Sequence, residues 1–301
     1  MNILKNWTLP IAMLVGALGY KVMDYLSFIT PYLIFTMLLL TFSKISLRDL
    51  RPRLSHLYLL CIEIVGAIAI YYILAPFDQI VAQGVMICII CPTATAAAVV
   101  TSKLGGNVAS ITTYTLLCNI AVAFVIPALF PIITNSSLNS QFSILNSQFL
   151  PAFLHIMGRI FPLLICPFLL AQLIRLIAPK INSKLTSISG LAFYMWAIAL
   201  TIAMGMTVRS FIEEPTDITT LIYLSLGSLI ACLFQFFTGK AIGKSTNDTI
   251  ACGQSLGQKN TILAIWICSA YLNPVTALAP GLYVIWQNIF NSTQLYLARK
   301  K

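Results

Sequence analysis

A chain of 301 residues that is 59% hydrophobic and only 9% charged, with mean hydropathy +0.91, is not a soluble domain, where about 25% of residues carry charge. The composition predicts an all-α integral membrane protein embedded in a lipid bilayer. A net charge of +10 would suggest nucleic acid in a soluble protein; here it is assigned to cytoplasmic loops facing anionic lipid, and no nucleic-acid partner is expected.

About 20 apolar residues are needed to cross the hydrocarbon core. By that measure the chain contains ten transmembrane helices, at 7–24, 28–44, 55–76, 79–102, 107–133, 151–177, 186–210, 218–239, 246–270 and 275–298. The fourth and ninth are interrupted by polar residues. The first apolar run is long enough to remain as a span rather than act as a cleavable signal. With the N-terminus inside, the inner segments hold Lys5, Lys44, Arg48, Arg51, Arg53, Lys103, Arg175, Lys180, Lys184, Lys240, Lys244 and the basic C-terminus. The outer segments hold only Lys21 and Arg209, beside the acids Asp24, Asp78, Glu213, Glu214 and Asp217. The positive-inside rule therefore puts both termini in the cytoplasm, and the expected location is a bacterial inner membrane.

An uncharged outer loop at 134–150 contains a tandem repeat, Leu138-Asn-Ser-Gln-Phe142 and Leu145-Asn-Ser-Gln-Phe149. It divides a single membrane domain into five plus five spans, 1–133 and 151–301. Halves with an odd number of spans insert in opposite orientations, which predicts an inverted repeat. The fourth span of each half is the anomalous one. In the first, Pro92 removes a helix donor and Thr93 and Thr95 can bond the carbonyls it frees. In the second, the run Gly253-Gln-Ser-Leu-Gly-Gln-Lys-Asn-Thr-Ile-Leu-Ala264 carries two glycines, three amides, two hydroxyls and a lysine where a span is due. Lipid cannot solvate such a run, so a helix broken near Gly253 and Gly257 is expected to line an enclosed cavity. Paired interrupted helices of this kind point to a transport site.

Three charges fall deep in the spans: Glu63, Arg159 and Lys259. At about 1.5 Å per residue, Glu63 and Lys259 lie roughly 14–19 Å from the inner face, so an ion pair between them, direct or through water, is expected near the midplane. Arg159, one turn after His155, enters from the outer side and either binds a substrate anion or snorkels along its own stem. The eight cysteines are scattered through apolar segments, with Cys88 and Cys91 the nearest pair, and read as reduced structural thiols. No metal site is expected. Motifs of hydrolases and nucleotide-dependent enzymes are absent, no catalytic residue is assigned, and the chain is not read as an enzyme.

Cys91-Pro92 followed by small residues, then Gly106-Asn-Val-Ala109, resembles the fourth and fifth helices of the bile acid:sodium symporter family. Gly257-Gln-Lys-Asn260 resembles that family's ninth-helix motif, and Ala279-Pro-Gly-Leu-Tyr-Val-Ile-Trp-Gln-Asn288 its tenth-helix motif. The resemblance covers essentially the whole chain. It implies a panel of spans 1, 2, 6 and 7 beside a core of spans 3, 4, 5, 8, 9 and 10, with crossing broken helices 4 and 9. It also implies transport of organic anions, carboxylates or bile-acid-like steroids, through the intervening cleft, driven by two sodium ions.

The departures bear on those ions. The family's glutamate ligand falls at Ser255 and its glutamine ligand at Lys259; a Ser-Asn pair falls at Ala97-Ala98. One fifth-helix hydroxyl falls at Ile111, leaving Thr115, and the third-helix glutamine falls at Leu60, with Glu63 one turn on. Sodium needs a shell of oxygens, so it is not expected as a cofactor at these positions. Lys259, paired with Glu63, is instead expected to stand in for a bound cation, with a proton as the candidate coupling ion. Substrate contacts are expected at Thr93, Thr95, Ser255, Gln258, Asn260, Arg159 and Gln287, helped by half-helix N-termini. Two further readings are a proton-coupled antiporter or metalloid-anion exporter using Cys91, and a non-transporting sensor on this scaffold. Oligomeric state is not legible in the sequence.

Overall fold

The computed structural model describes residues 2–134 and 149–299, so the tandem repeat at 138–149 lies outside them but for its last residue. Among the described residues the chain is helical, with no strand beyond a single isolated bridge. The helices are α1 (Asn2–Leu18), α2 (Tyr20–Tyr25), α3 (Thr30–Phe42), α4 (Leu54–Leu74), α5 (Gln79–Ile90), α6 (Ala96–Lys103) and α7 (Val108–Thr134). After the loop come α8 (Phe149–Ile177), α9 (Pro179–Ser187), α10 (Leu191–Glu213), α11 (Ile218–Ser245), α12 (Thr249–Gly257), α13 (Thr261–Tyr271) and α14 (Leu278–Arg299). Among the described residues, six stretches are long and apolar enough to cross a membrane: Tyr20–Phe42, α4, α7 to Ile133, α8, α10 and α11. The interrupted spans fall short because their halves, such as α5 and α13, are only 12 and 11 residues long.

Boundaries shift in two places. The first connection sits at Gly19 rather than near 25–27. Asp24 on α2 is tied to Arg209 at the end of α10 by a 2.5 Å ion pair, and that bond helps to hold the early turn. The stretch expected to be a charged inner loop contains helix α9, whose Lys180 and Lys184 are exposed. α1 lies on α10 and α3 on α8 and α10, while α4 lies on α5 and α11 contacts α5, α12 and α14. A cavity of about 1090 Å³ opens between α3 and α10 on one side and α6, the start of α7, the α12–α13 junction and α14 on the other.

Candidate functional site

The site begins with two helices that stop in mid-course. α5 ends at Ile90 because Pro92 has no N–H to continue the ladder, and Cys91 is already extended at φ −62°, ψ 139°. α12 ends at Gly257, and Gln258, Lys259 and Asn260 run extended before α13 resumes. The two gaps lie against each other as a two-residue antiparallel bridge, Thr93 opposite Lys259. Ala94 N–H donates to Gln258 O and Asn260 N–H donates to Pro92 O, each at 2.8 Å. The carbonyl released by the proline, Cys88 O, accepts from Gln235 Nε2 of α11 at 3.1 Å, rather than from the adjacent threonines. Thr93 Oγ1 instead donates to Ser255 O at 2.6 Å, and the Asn260 side chain caps α13 through Leu263 N–H. This meets the demand that no backbone polar group stay unpaired in hydrocarbon.

Glycines play two parts here. A Cβ on Gly257 would fall 2.3 Å from the Phe236 ring, so only glycine lets the end of α12 seat on α11. Gly253 lies inside the regular helix, not at the break; its bare face accommodates the stem of Lys240. The helix break therefore comprises Pro92 and the Gly257–Asn260 segment, without Gly253.

Lys259 and Glu63 are each 1% exposed, and Lys259 Nζ lies 3.0 Å from Glu63 Oε1. Glu63 also accepts from Tyr114 Oη at 2.5 Å on its other oxygen and from Cys118 Sγ at 3.1 Å. Both donors come from α7 and were not singled out in the sequence. Placing a donor at the carboxylate requires knowing which face of α7 meets α4, and periodicity of one helix does not give that. The ammonium, by contrast, makes no well-aligned hydrogen bond, so its contact with Glu63 is ionic. Its backbone is held from α14, where Gln287 Oε1 accepts Lys259 N–H at 2.9 Å. Tyr283 Oη donates to Gly257 O and accepts from Gln235, while Gln254, Gln258 and Asn291 form an amide cluster beneath. Tyr283→Phe is expected to destabilise the protein by about 1–3 kcal/mol, because it leaves two buried partners unmet. In thermal unfolding in detergent, adding Gln235→Leu to that variant is expected to cost less than Gln235→Leu alone.

A family model described as the SBF-like CPA transporter family, which is bile acid:sodium symporter-like, matches residues 46–299. The chain belongs to that family. No curated protein matches it. In this SBF-like transporter, Thr95, Gln258, Lys259, Asn260 and Gln287 line the large cavity, with Asn288, Asn291 and Ser292 added by α14. Exposed Lys44, Asp49 and Lys103 line it where α3 and α6 finish. Thr93 and Ser255 are buried behind that wall and engage each other. Arg159 is not brought to the cavity: it is exposed on α8 and interacts with Tyr271. Ala97, Ala98 and Ile111, where the resemblance implies sodium ligands, lie together in the structure. Ala97, Ile111 and Ala251 form a small apolar cluster with Ala98 against it, and Thr115 Oγ1 donates back to Ile111 O at 2.8 Å. Among the described residues no group of three histidine, cysteine or acidic side chains is arranged for a metal ion. Cys91 is buried, with its thiol on Asn260 O at 3.2 Å.

Proposed function

We propose that this SBF-like transporter is a secondary transporter of small organic anions whose Lys259–Glu63 pair replaces a bound cation. The single observation that carries the reading is that buried pair at the crossing of two broken helices, with Lys259 in the cavity wall and Glu63 behind it. In this reading the ten spans form a five-plus-five inverted repeat across 1–133 and 151–301. The α1–α3, α8 and α10 group is the panel, the rest is the core, and both termini are cytoplasmic. The cavity's composition supports an amphipathic anion. Its panel wall is apolar, with Met37, Phe193 and Trp196, and its core wall carries amides and hydroxyls at Thr95, Gln258, Asn260 and Gln287. Lys44 and Lys103 attract anions toward it.

Sodium does not suit this site. Of the ligand positions that the resemblance implies, Ala97, Ala98 and Ile111 lie in an apolar cluster and Lys259 brings a cation, while the carboxylate of Glu63 already has an ammonium, a phenol and a thiol on it. A proton suits it better. If Lys259 gives up its proton, Glu63 keeps the hydrogen bonds from Tyr114 and Cys118, so the pair can separate without stranding the carboxylate. The test is uptake of radiolabelled carboxylates and steroid anions into proteoliposomes, with sodium replaced by choline and with or without a pH gradient. Uptake is expected to persist in choline, to respond to the pH gradient, and to lose that response in Lys259→Gln. Strict dependence on sodium would refute the proposal. Ligand-induced thermal stabilisation without any flux would instead identify a sensor.

A further inference from the structure

A second, smaller cavity of about 270 Å³ lies away from the crossing, in a groove between α11 and α14. The two helices run in the same direction there. Trp286 Nε1 donates to Ser228 Oγ at 3.1 Å, and further along Phe290 stacks on Phe236 at 4.1 Å between centroids. The groove is graded along its length. Leu229, Leu233 and Ile289 make one end, and Lys240, Thr293 and Gln294 the other. Leu229 and Lys240 are eleven residues apart, or about 16 Å on a helix, close to half of a ~30 Å hydrocarbon core. Leu233 and Ile289 are 37% and 54% exposed, so the apolar end is open at the side of the molecule, where lipid lies.

Lys240 is turned into this groove rather than out of it. Its stem lies on the bare face of Gly253, and its ammonium sits over the Phe290 ring, 5.0 Å from the centroid. Among the described residues it makes no ion pair and no hydrogen bond. A half-buried cation with only an aromatic face as company is open to an anion. We propose that the groove binds an anionic phospholipid of the cytoplasmic leaflet, its phosphate on Lys240 with Thr293 and Gln294 beside it, and an acyl chain along Leu229, Leu233 and Ile289. The polarity gradient matches one leaflet in length and sense, which a soluble anion does not require. The lipid would hold Lys240, whose stem lies on the Gly253 face of α12, the helix that carries the site.

Native mass spectrometry of the detergent-purified chain tests this, with phosphatidylglycerol, phosphatidylcholine and glycerol phosphate as probes. One phosphatidylglycerol per chain is expected to be retained in preference to phosphatidylcholine. Lys240→Gln is expected to weaken it about five-fold, the effect of one basic side chain near a membrane surface. Lys244→Gln, an exposed lysine on the same helix, is expected to leave it unchanged. Equal retention of both lipids, an unaltered Lys240→Gln, or an equal loss in Lys244→Gln would overturn the proposal. So would glycerol phosphate binding as tightly as the lipid, which would mean an anion site without a lipid. If Lys240→Gln does not fold, Ile289→Trp fills the apolar length from its exposed side and must reduce phosphatidylglycerol binding with the lysine still present. Unchanged binding in that variant overturns the proposal as well.

Discussion

Glu63→Gln is expected to destabilise the protein by about 3–5 kcal/mol, the range for removing one partner of a buried ion pair. Both side chains are almost fully shielded, and Lys259 Nζ has no aligned hydrogen bond to fall back on. A glutamine keeps an oxygen for Tyr114 or Cys118 but leaves the ammonium as a lone buried charge. Removing both charges in Glu63→Gln with Lys259→Gln is expected to recover most of the loss, because buried pairs gain little over neutral replacements. Thermal unfolding in detergent reads the three variants side by side. A single variant as stable as the parent would mean that water reaches the pair, and a double variant no better than the single would mean that packing, not charge, set the loss. Transport in the double variant is expected to lose its response to a pH gradient, since the group proposed to exchange the proton is gone.

The sequence made this pair visible because lipid imposes strict rules. A lysine and three amides inside an apolar run have no solvent there, and a glutamate on α4 at matching depth is the nearest opposite charge. The same reasoning gave Arg159 equal weight, yet it ends exposed on α8. Depth along a helix is legible in a sequence, whereas the face on which a side chain leaves depends on which neighbours that helix packs against. Tyr114 and Cys118 were missed for the converse reason: they sit in an ordinary apolar run, and only the meeting of α4 and α7 makes them donors to Glu63. Gly253 shows a third limit. A glycine in a polar run suggests a break, but here it serves close packing, and the extended residues follow Gly257.

The crossing also settles how far Thr93 and Thr95 act alike. Both stand next to Pro92 and look equivalent in sequence. Thr93 is spent on Ser255 O inside the protein, while Thr95, one turn out, lines the cavity. The backbone therefore sorts two similar hydroxyls into a structural one and one that faces the cavity. That division follows from the turn into α6: residues two apart in an extended run would share a side, but Thr95 is already helical at φ −59°, ψ −27°. The site depends in turn on where α12 is held, and that position is set by α11.

Gly239→Val is expected to disrupt the site without touching any residue that lines it. Gly239-Lys-Ala-Ile-Gly243 is a small-xxx-small motif, a signal present in the sequence that the reading above passed over. A Cβ on Gly239 would fall 2.3 Å from Cys252 O and one on Gly243 2.6 Å from Asp248 O, both backbone atoms that cannot rotate away. α11 and α12 therefore meet backbone to backbone, and a branched side chain must push them apart. Overpacking of this kind costs about 1–3 kcal/mol. The displacement is carried along α12 to Gln258 and Asn260, whose bridge bonds to Ala94 and Pro92 are only 2.8 Å long. Uptake is expected to fall more steeply than stability, since the bridge tolerates less movement than the fold. Gly66→Val is the control, because a Cβ there meets nothing within 4 Å, and its uptake and thermal midpoint are expected to stay near the parent's. Full uptake in Gly239→Val would mean that α12 is positioned by the crossing itself and not by its seat on α11.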